Sequence, residues 1–154
     1  MSPARISRFL SAWPLAVPVL LFAFGVLLWS VRARETGEEV TALLSTGKTV
    51  LGQTVFYPVG APARMTAAIV AMQPGAETGW HEHDVPLFGY MLEGELTVDY
   101  GAKGTRVYRK GDSLVEAIDV PHNGRNTGSG VARILAVFMG ADGVPDTVQA
   151  KYPQ

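Results

Sequence analysis

The sequence predicts an all-β barrel preceded by one membrane-spanning helix. Three observations carry that expectation. From Lys48 onward, brief β-branched and apolar segments are separated by Gly or Pro, the punctuation of many strands rather than of long helices. Ahead of them, Phe9 to Trp29 is a run of 21 residues without a charge. The three histidines of the chain, His81, His83 and His122, all fall in the strand-rich part.

The chain has 154 residues, 47% of them hydrophobic and 18% charged, enough for one compact domain and an appendage. Thirteen basic and 14 acidic residues are spread along it for a net charge of −1, which leaves no electrostatic footprint for nucleic acid. Cysteine is absent, so disulfides, thiolate ligands and cysteine nucleophiles are excluded; His and carboxylates remain as metal ligands.

Residues 1–8 form a short basic tail with Arg5 and Arg8. Residues 9–30 read as a transmembrane helix: the 21 residues from Phe9 to Trp29 span roughly 31 Å as a helix, the thickness of a bilayer core. Trp13 and Trp29 sit near the ends, where amphipathic rings favour the interface. A cleaved signal peptide is the competing reading, since Val31 and Ala33 give a weak small-residue cleavage pattern. Basic residues flank the run on both sides, Arg32 and Arg34 following it, so orientation is close to a tie. A signal-anchor with a cytoplasmic N-terminus is the expectation, placing the globular part outside the cytoplasm, in a bacterium the periplasm. Residues 31–47 read as a linker, 48–145 as the barrel and 146–154 as a C-terminal tail.

Within the barrel, extended segments are expected at 49–57, 64–73, 79–83, 87–92, 94–100, 104–110, 113–117, 121–126 and 131–139. Leu96, Val98 and Tyr100 alternate with Glu95, Thr97 and Asp99, one face inward and one toward water, and Gly101 and Gly104 bracket a hairpin turn. Ile134 to Met139 is continuously apolar and suits a strand covered on both sides, by a neighbouring subunit or the membrane-proximal segment.

His81 and His83 are two apart, so on a strand both imidazoles project from one face, the arrangement a metal needs. Alone, the pair is equally consistent with two surface histidines flanking Glu82. The flanking residues decide more. Gly75, five residues, His81, one residue, His83, ten residues and Gly94 reproduce the spacing of the first motif of the cupin superfamily, and Tyr90-Met91-Leu92-Glu93-Gly94-Glu95 is similar to that family as well. In the second motif, Gly111, His122 and Asn126 stand at the matching positions. The chain therefore resembles a small single-domain cupin over a motif core of 65–140.

The resemblance implies a double-stranded β-helix, or jelly-roll, barrel with His81, His83 and His122 as ligands of a divalent metal such as Fe(II), Mn(II), Ni(II) or Zn(II). Leu87 occupies the place where many cupins carry a metal-binding glutamate, and leucine does not coordinate. The second motif's Pro and Gly are replaced by Ala117 and Asp119, with Pro121 just before His122, which implies a rebuilt turn. Three imidazoles without a carboxylate resemble the iron sites of some cupin dioxygenases.

Glu116 is the candidate catalytic residue: turned inward it is a ligand, a partner of an imidazole or a general base; turned outward it is a strand-end acid. Asn126, four residues past His122, is a candidate substrate-lining amide. Phe88, Tyr90 and Trp80 are candidates for the barrel mouth, with core packing the alternative. The function expected is a membrane-anchored metalloprotein binding a small-molecule ligand, with oxygen-dependent oxidation as its chemistry; the alternative is a non-catalytic binding or sensory module. Cupins commonly associate through barrel faces, which implies a homodimer.

Overall fold

The computed structural model describes residue 37 and residues 39–152. The transmembrane helix expected at 9–30 lies outside them; among the described residues no helix is long and apolar enough to cross a membrane. The compact unit Thr41–Gln154 is built from strands. These are β1 (Ala63–Met72), β2 (His81–Glu82), β3 (Leu87–Glu93), β4 (Glu95–Asp99), β5 (Thr105–Arg109), β6 (Ser113–Val115), β7 (Asn123–Asn126), β8 (Ala132–Ala141) and β9 (Val148–Gln149).

One sheet runs β1-β8-β3-β6 and the other β5-β4-β7, with β2 and β9 paired beside them. The ladders pair antiparallel, so the alternation of side chains sorts each strand into a face toward the opposite sheet and a face away from it. In β4 the expected alternation is present: Leu96 and Val98 are buried while Glu95, Thr97 and Asp99 are half-exposed, and Tyr100 continues the inward face. Gly101–Lys103 forms a 3₁₀ turn, and Gly101 N–H donates to Asp99 Oδ1 at 2.8 Å, closing the β4–β5 hairpin. Met91, Leu96, Val98, Tyr100, Leu114 and Ala117 make up much of the core between the sheets.

Gly94 shows why the β3–β4 connection needs glycine. Its φ is +77°, and a Cβ there would lie 2.6 Å from the carbonyl oxygen of Val131.

In β8, Ala136 is buried and Ile134, Leu135, Val137, Phe138 and Met139 are half-buried. Even-numbered residues pair on the cavity side, Ile134 with Met91 and Val70, Phe138 with Leu87 and Thr66. Odd-numbered ones share the outer face with Met65 and Ile69 of β1, which are 71% and 61% exposed. The outer face of this sheet is thus apolar and only partly covered.

Two stretches differ from expectation. Residues 49–57 are not a strand: Thr49 N–H donates to Gln53 O at 3.0 Å and Gly52 N–H to Thr49 O at 2.9 Å, and only the Lys48–Thr54 bridge remains of a ladder. The β-branched composition favoured extension, but Gly52, with φ +83°, turns the chain back. Gln53 then ties this loop to the barrel, its amide donating to Ile118 O and accepting from Ile118 N–H. The second difference is β9, a strand inside residues 146–154, which composition alone presents as a tail.

Candidate metal centre and cavity

Two strands distant in sequence bring the histidines together. His81 opens β2, His83 follows it, and His122 enters β7; the backbones of His81 and His122 exchange two hydrogen bonds, of 3.0 and 2.8 Å. The ring centroids lie 5.0 Å apart for His81 and His83, 4.5 Å for His81 and His122, and 5.0 Å for His83 and His122. One ligand atom from each falls within 4.8 Å of the other two. Metal–imidazole bonds are about 2.1 Å, so small side-chain rotations close the three nitrogens around one ion.

The imidazoles are oriented from behind. Nδ1 of His81 faces Gly79 O at 2.8 Å, Nδ1 of His83 faces Asp146 O at 2.9 Å, and Nδ1 of His122 faces Val120 O at 2.8 Å. A carbonyl oxygen only accepts, so each Nδ1 carries the proton and each Nε2 keeps its lone pair for a metal. Burial favours the neutral form of His81 and His83 as well. It lowers His81 despite the opposing hydrogen bond to Gly79, with His122 repulsion adding to the fall. For His83, burial outweighs the Asp146 hydrogen bond and the pKa falls to about 4. Three neutral nitrogen donors of intermediate softness fit first-row divalent ions, and zinc, iron, nickel and manganese all accept imidazole.

The C-terminal stretch is part of this centre. Asp146 O and Thr147 Oγ1 both meet His83 Nδ1, at 2.9 and 3.2 Å. β9 pairs with His81–Glu82, Ala150 N–H donates to Trp80 O at 3.0 Å, and Trp80 packs edge-on against Tyr152. Arg64 holds the loop before β9, its guanidinium donating to Val144 O at 2.9 Å and lying 3.5 Å from the Asp146 carboxylate. Nothing in the sequence pattern marks these roles, because the main contribution is a backbone carbonyl.

A cavity of about 170 Å³ adjoins the histidines between the two sheets. Val70, Met72, Ile134, Ala136 and Phe138 supply one apolar wall, and Leu96 and Val98 the other. Leu87 lines it too, 6% exposed, so the side chain at the position of the missing glutamate does face the centre.

Glu116 turns inward. It is 6% exposed and lines the same cavity, and its N–H donates to the carbonyl of Leu87 at 2.9 Å. The carboxylate absent from position 87 is thus matched by one just past the end of the neighbouring strand β6. Glu116 Oε1 accepts from Tyr100 Oη at 2.6 Å and from Ala117 N–H at 2.8 Å, while Tyr100 and Tyr108 hydroxyls lie 3.3 Å apart. Burial, then the Glu116 charge, pushes Tyr100 far above its ordinary value; burial pushes Tyr108 up to about 12. Both tyrosines therefore stay protonated as donors.

The remaining candidates stand elsewhere. Asn126 does not line the cavity: its amide donates to Met72 O and Gly130 O, both at 2.8 Å, and accepts from Gly128 N–H at 3.0 Å, which makes it a strut between loops. Phe88 and Tyr90 fall on the opposite face of β3 from Leu87, since neighbours in a strand alternate, and neither lines the cavity. Asp119, at the position of the motif's second glycine, has φ +52°, the left-handed conformation that glycine adopts freely. Asp119 thus adopts a glycine-like turn conformation, and its N–H donates to His83 O at 3.0 Å.

Residues 68–138 match the family model for the cupin domain. Among solved structures, the chain is similar to an oxalate decarboxylase from Lactobacillus farciminis in complex with formate, at 27% identity over 55% of this chain and 26% of that one, with a TM-score of 0.48. It is similar to the DMSP lyase DddQ from Ruegeria pomeroyi at 22% identity over 58% of this chain and 45% of that one, TM-score 0.50. An uncharacterized protein with a double-stranded β-helix domain from Klebsiella pneumoniae matches at 16% identity over 75% of this chain and 94% of that one, TM-score 0.50. The first two matches thus span less than half of the other chain. The last two share the fold. No curated protein matches the chain.

Proposed function

Residues 68–138 form a cupin domain, and from that premise we propose that the protein is a metalloprotein whose His81, His83 and His122 hold one divalent ion beside a small-molecule cavity. The observation that carries this is the set of three backbone carbonyls behind the rings, at 2.8, 2.9 and 2.8 Å, which turns every Nε2 outward as a donor. Packing alone has no use for that alignment. Three protein donors leave coordination positions for a ligand, so the reading extends to metal-dependent chemistry on that ligand, with oxygen-dependent oxidation as its redox form.

Elemental analysis of the purified full chain tests the centre. One equivalent of a divalent metal, lost in His81→Ala, is the expected result; a metal-free protein after growth and dialysis with each of Fe(II), Mn(II), Ni(II) and Zn(II) overturns it. Ligand-induced stabilisation without turnover would identify a binding or sensory module instead of an enzyme.

The proposal includes a membrane anchor at 9–30 with the barrel on the extracytoplasmic side, supported by the uncharged run of 21 residues. Retention of the protein in membranes through an alkaline wash is expected, and release into the wash would remove the anchor. A homodimer is also proposed, supported by the exposed apolar edge strand β1, where Met65 and Ile69 stand beside a ladder paired with β8 on one side only. A monomer by light scattering at micromolar concentration would overturn it.

A further inference from the structure

The polar groups of the cavity narrow what it takes, given the metal-and-ligand reading above, on which this inference rests. Its volume of about 170 Å³ is comparable to the roughly 150 Å³ of an apolar cavity that accommodates benzene. The walls are mainly aliphatic and aromatic, so the body of a ligand that fills it is apolar and about the size of one ring.

Charge sets the second limit. A divalent ion on three neutral imidazoles brings two positive charges, and the Glu116 carboxylate offsets one of them. Among the described residues no lysine or arginine lines the cavity. One negative charge on the ligand is therefore matched; a second would be buried without a partner, at a cost that excludes it.

Glu116 sets the third. Both of its protein hydrogen bonds end on Oε1. Among the described residues Oε2 accepts no hydrogen bond from the protein, and it is not sealed from solvent either: the one sealed side-chain oxygen among them without a hydrogen bond is Asp146 Oδ1. Tyr100 and the Ala117 amide fix the carboxyl plane, so Oε2 is a preorganised acceptor beside the cavity.

We propose that the cavity selects a one-ring-sized, largely apolar monoanion that places its anionic oxygen at the histidine centre and a hydrogen-bond donor against Oε2 of Glu116, and that it rejects dianions of the same shape.

Four benzoates separate these terms. 3-Hydroxybenzoate carries the donor and benzoate lacks it; isophthalate is a dianion, and 3-nitrobenzoate is a monoanion of nearly the same shape as isophthalate. Calorimetric titration of the full chain in detergent, loaded with Zn(II) and assayed for zinc beforehand, reads all four. 3-Hydroxybenzoate should bind about five- to tenfold more tightly than benzoate, the worth of one hydrogen bond. Isophthalate should bind at least about 50-fold more weakly than 3-nitrobenzoate. Glu116→Gln keeps an acceptor for Tyr100 and Ala117 and removes the charge, so it should retain zinc and shrink the isophthalate gap to less than about fivefold.

Equal binding of isophthalate and 3-nitrobenzoate overturns the proposal, as does a gap unchanged in Glu116→Gln. So does zinc-loaded protein that binds none of the four at millimolar concentration, which leaves the metal centre standing. Protein that takes up no zinc overturns the metal reading and this inference together.

Discussion

The carbonyl oxygen of Asp146 lies 2.9 Å from Nδ1 of His83, across 63 positions of sequence. A histidine on the first motif is thus aimed by a segment beyond the last long strand, and β9 clamps that segment against β2. Partners behind a metal-bound imidazole commonly govern metal affinity by 10- to 100-fold. Ending the chain after Val144 should therefore weaken zinc binding by about that factor with the three ligands intact, as measured by competition with a chromophoric chelator. Unchanged affinity would reduce the segment to packing.

The metal-free protein should lose stability as pH falls from about 6.5 to about 4. His83 takes up its proton near 6.5 in the unfolded chain but only at about 4 when folded, so between those values the unfolded state binds more protons. The loss ends below the lower value. His83 is 4% exposed, and its share is roughly 3 kcal/mol, with His81 adding in the same direction. Urea midpoints of the chelated protein at stepped pH values should show the decline, and His83→Gln should flatten it.

Leu87→Glu places a carboxylate in the cavity beside the histidines. It should raise Mn(II) affinity about tenfold or more, because oxygen ligands suit that ion, while destabilising the metal-free protein by several kcal/mol through an unpaired buried charge close to Glu116. Manganese titration and thermal melts with and without metal measure both.

Asp119→Gly should stabilise the fold by about 0.5–1 kcal/mol. The left-handed conformation costs an aspartate about 1–2 kcal/mol, which glycine recovers less its greater freedom when unfolded. Chemical denaturation reads the gain; a loss would mean that the Asp119 side chain contributes more than its backbone strain costs.

Asn126→Ala strands the carbonyls of Met72 and Gly130 and the N–H of Gly128. Stability should fall by about 2–4 kcal/mol, with metal stoichiometry unchanged in the protein that remains folded. A drop in zinc content without a drop in stability would return Asn126 to the site.

The strands with clear alternation and the histidine spacings were legible in the sequence because each rests on side-chain identity at fixed intervals. The aiming of His83 was not, since any residue supplies a carbonyl at 146. Glu116 was visible but its direction was not: β6 ends at Val115, so strand alternation stops one residue short of it. Phe88 and Tyr90 could have been placed. With Leu87 facing the histidines, the same period of two sends them to the other face. The stretch 49–57 misled because Gly52 carries more conformational weight than the β-branched residues around it.

The dependence of His83 on Asp146 also sets an order of events during synthesis. The ribosome makes His81 and His83 some sixty residues before the carbonyl and the short strand that fix them, so a nascent chain halted within β8 has its first two imidazoles without their final alignment. On the metal reading, capture at full affinity belongs to the chain that has already been extended past Gln149. If the barrel is exported and holds an ion as proposed, that ion is acquired in the compartment where folding finishes, and the metal available there, rather than in the cytoplasm, decides which one the centre holds.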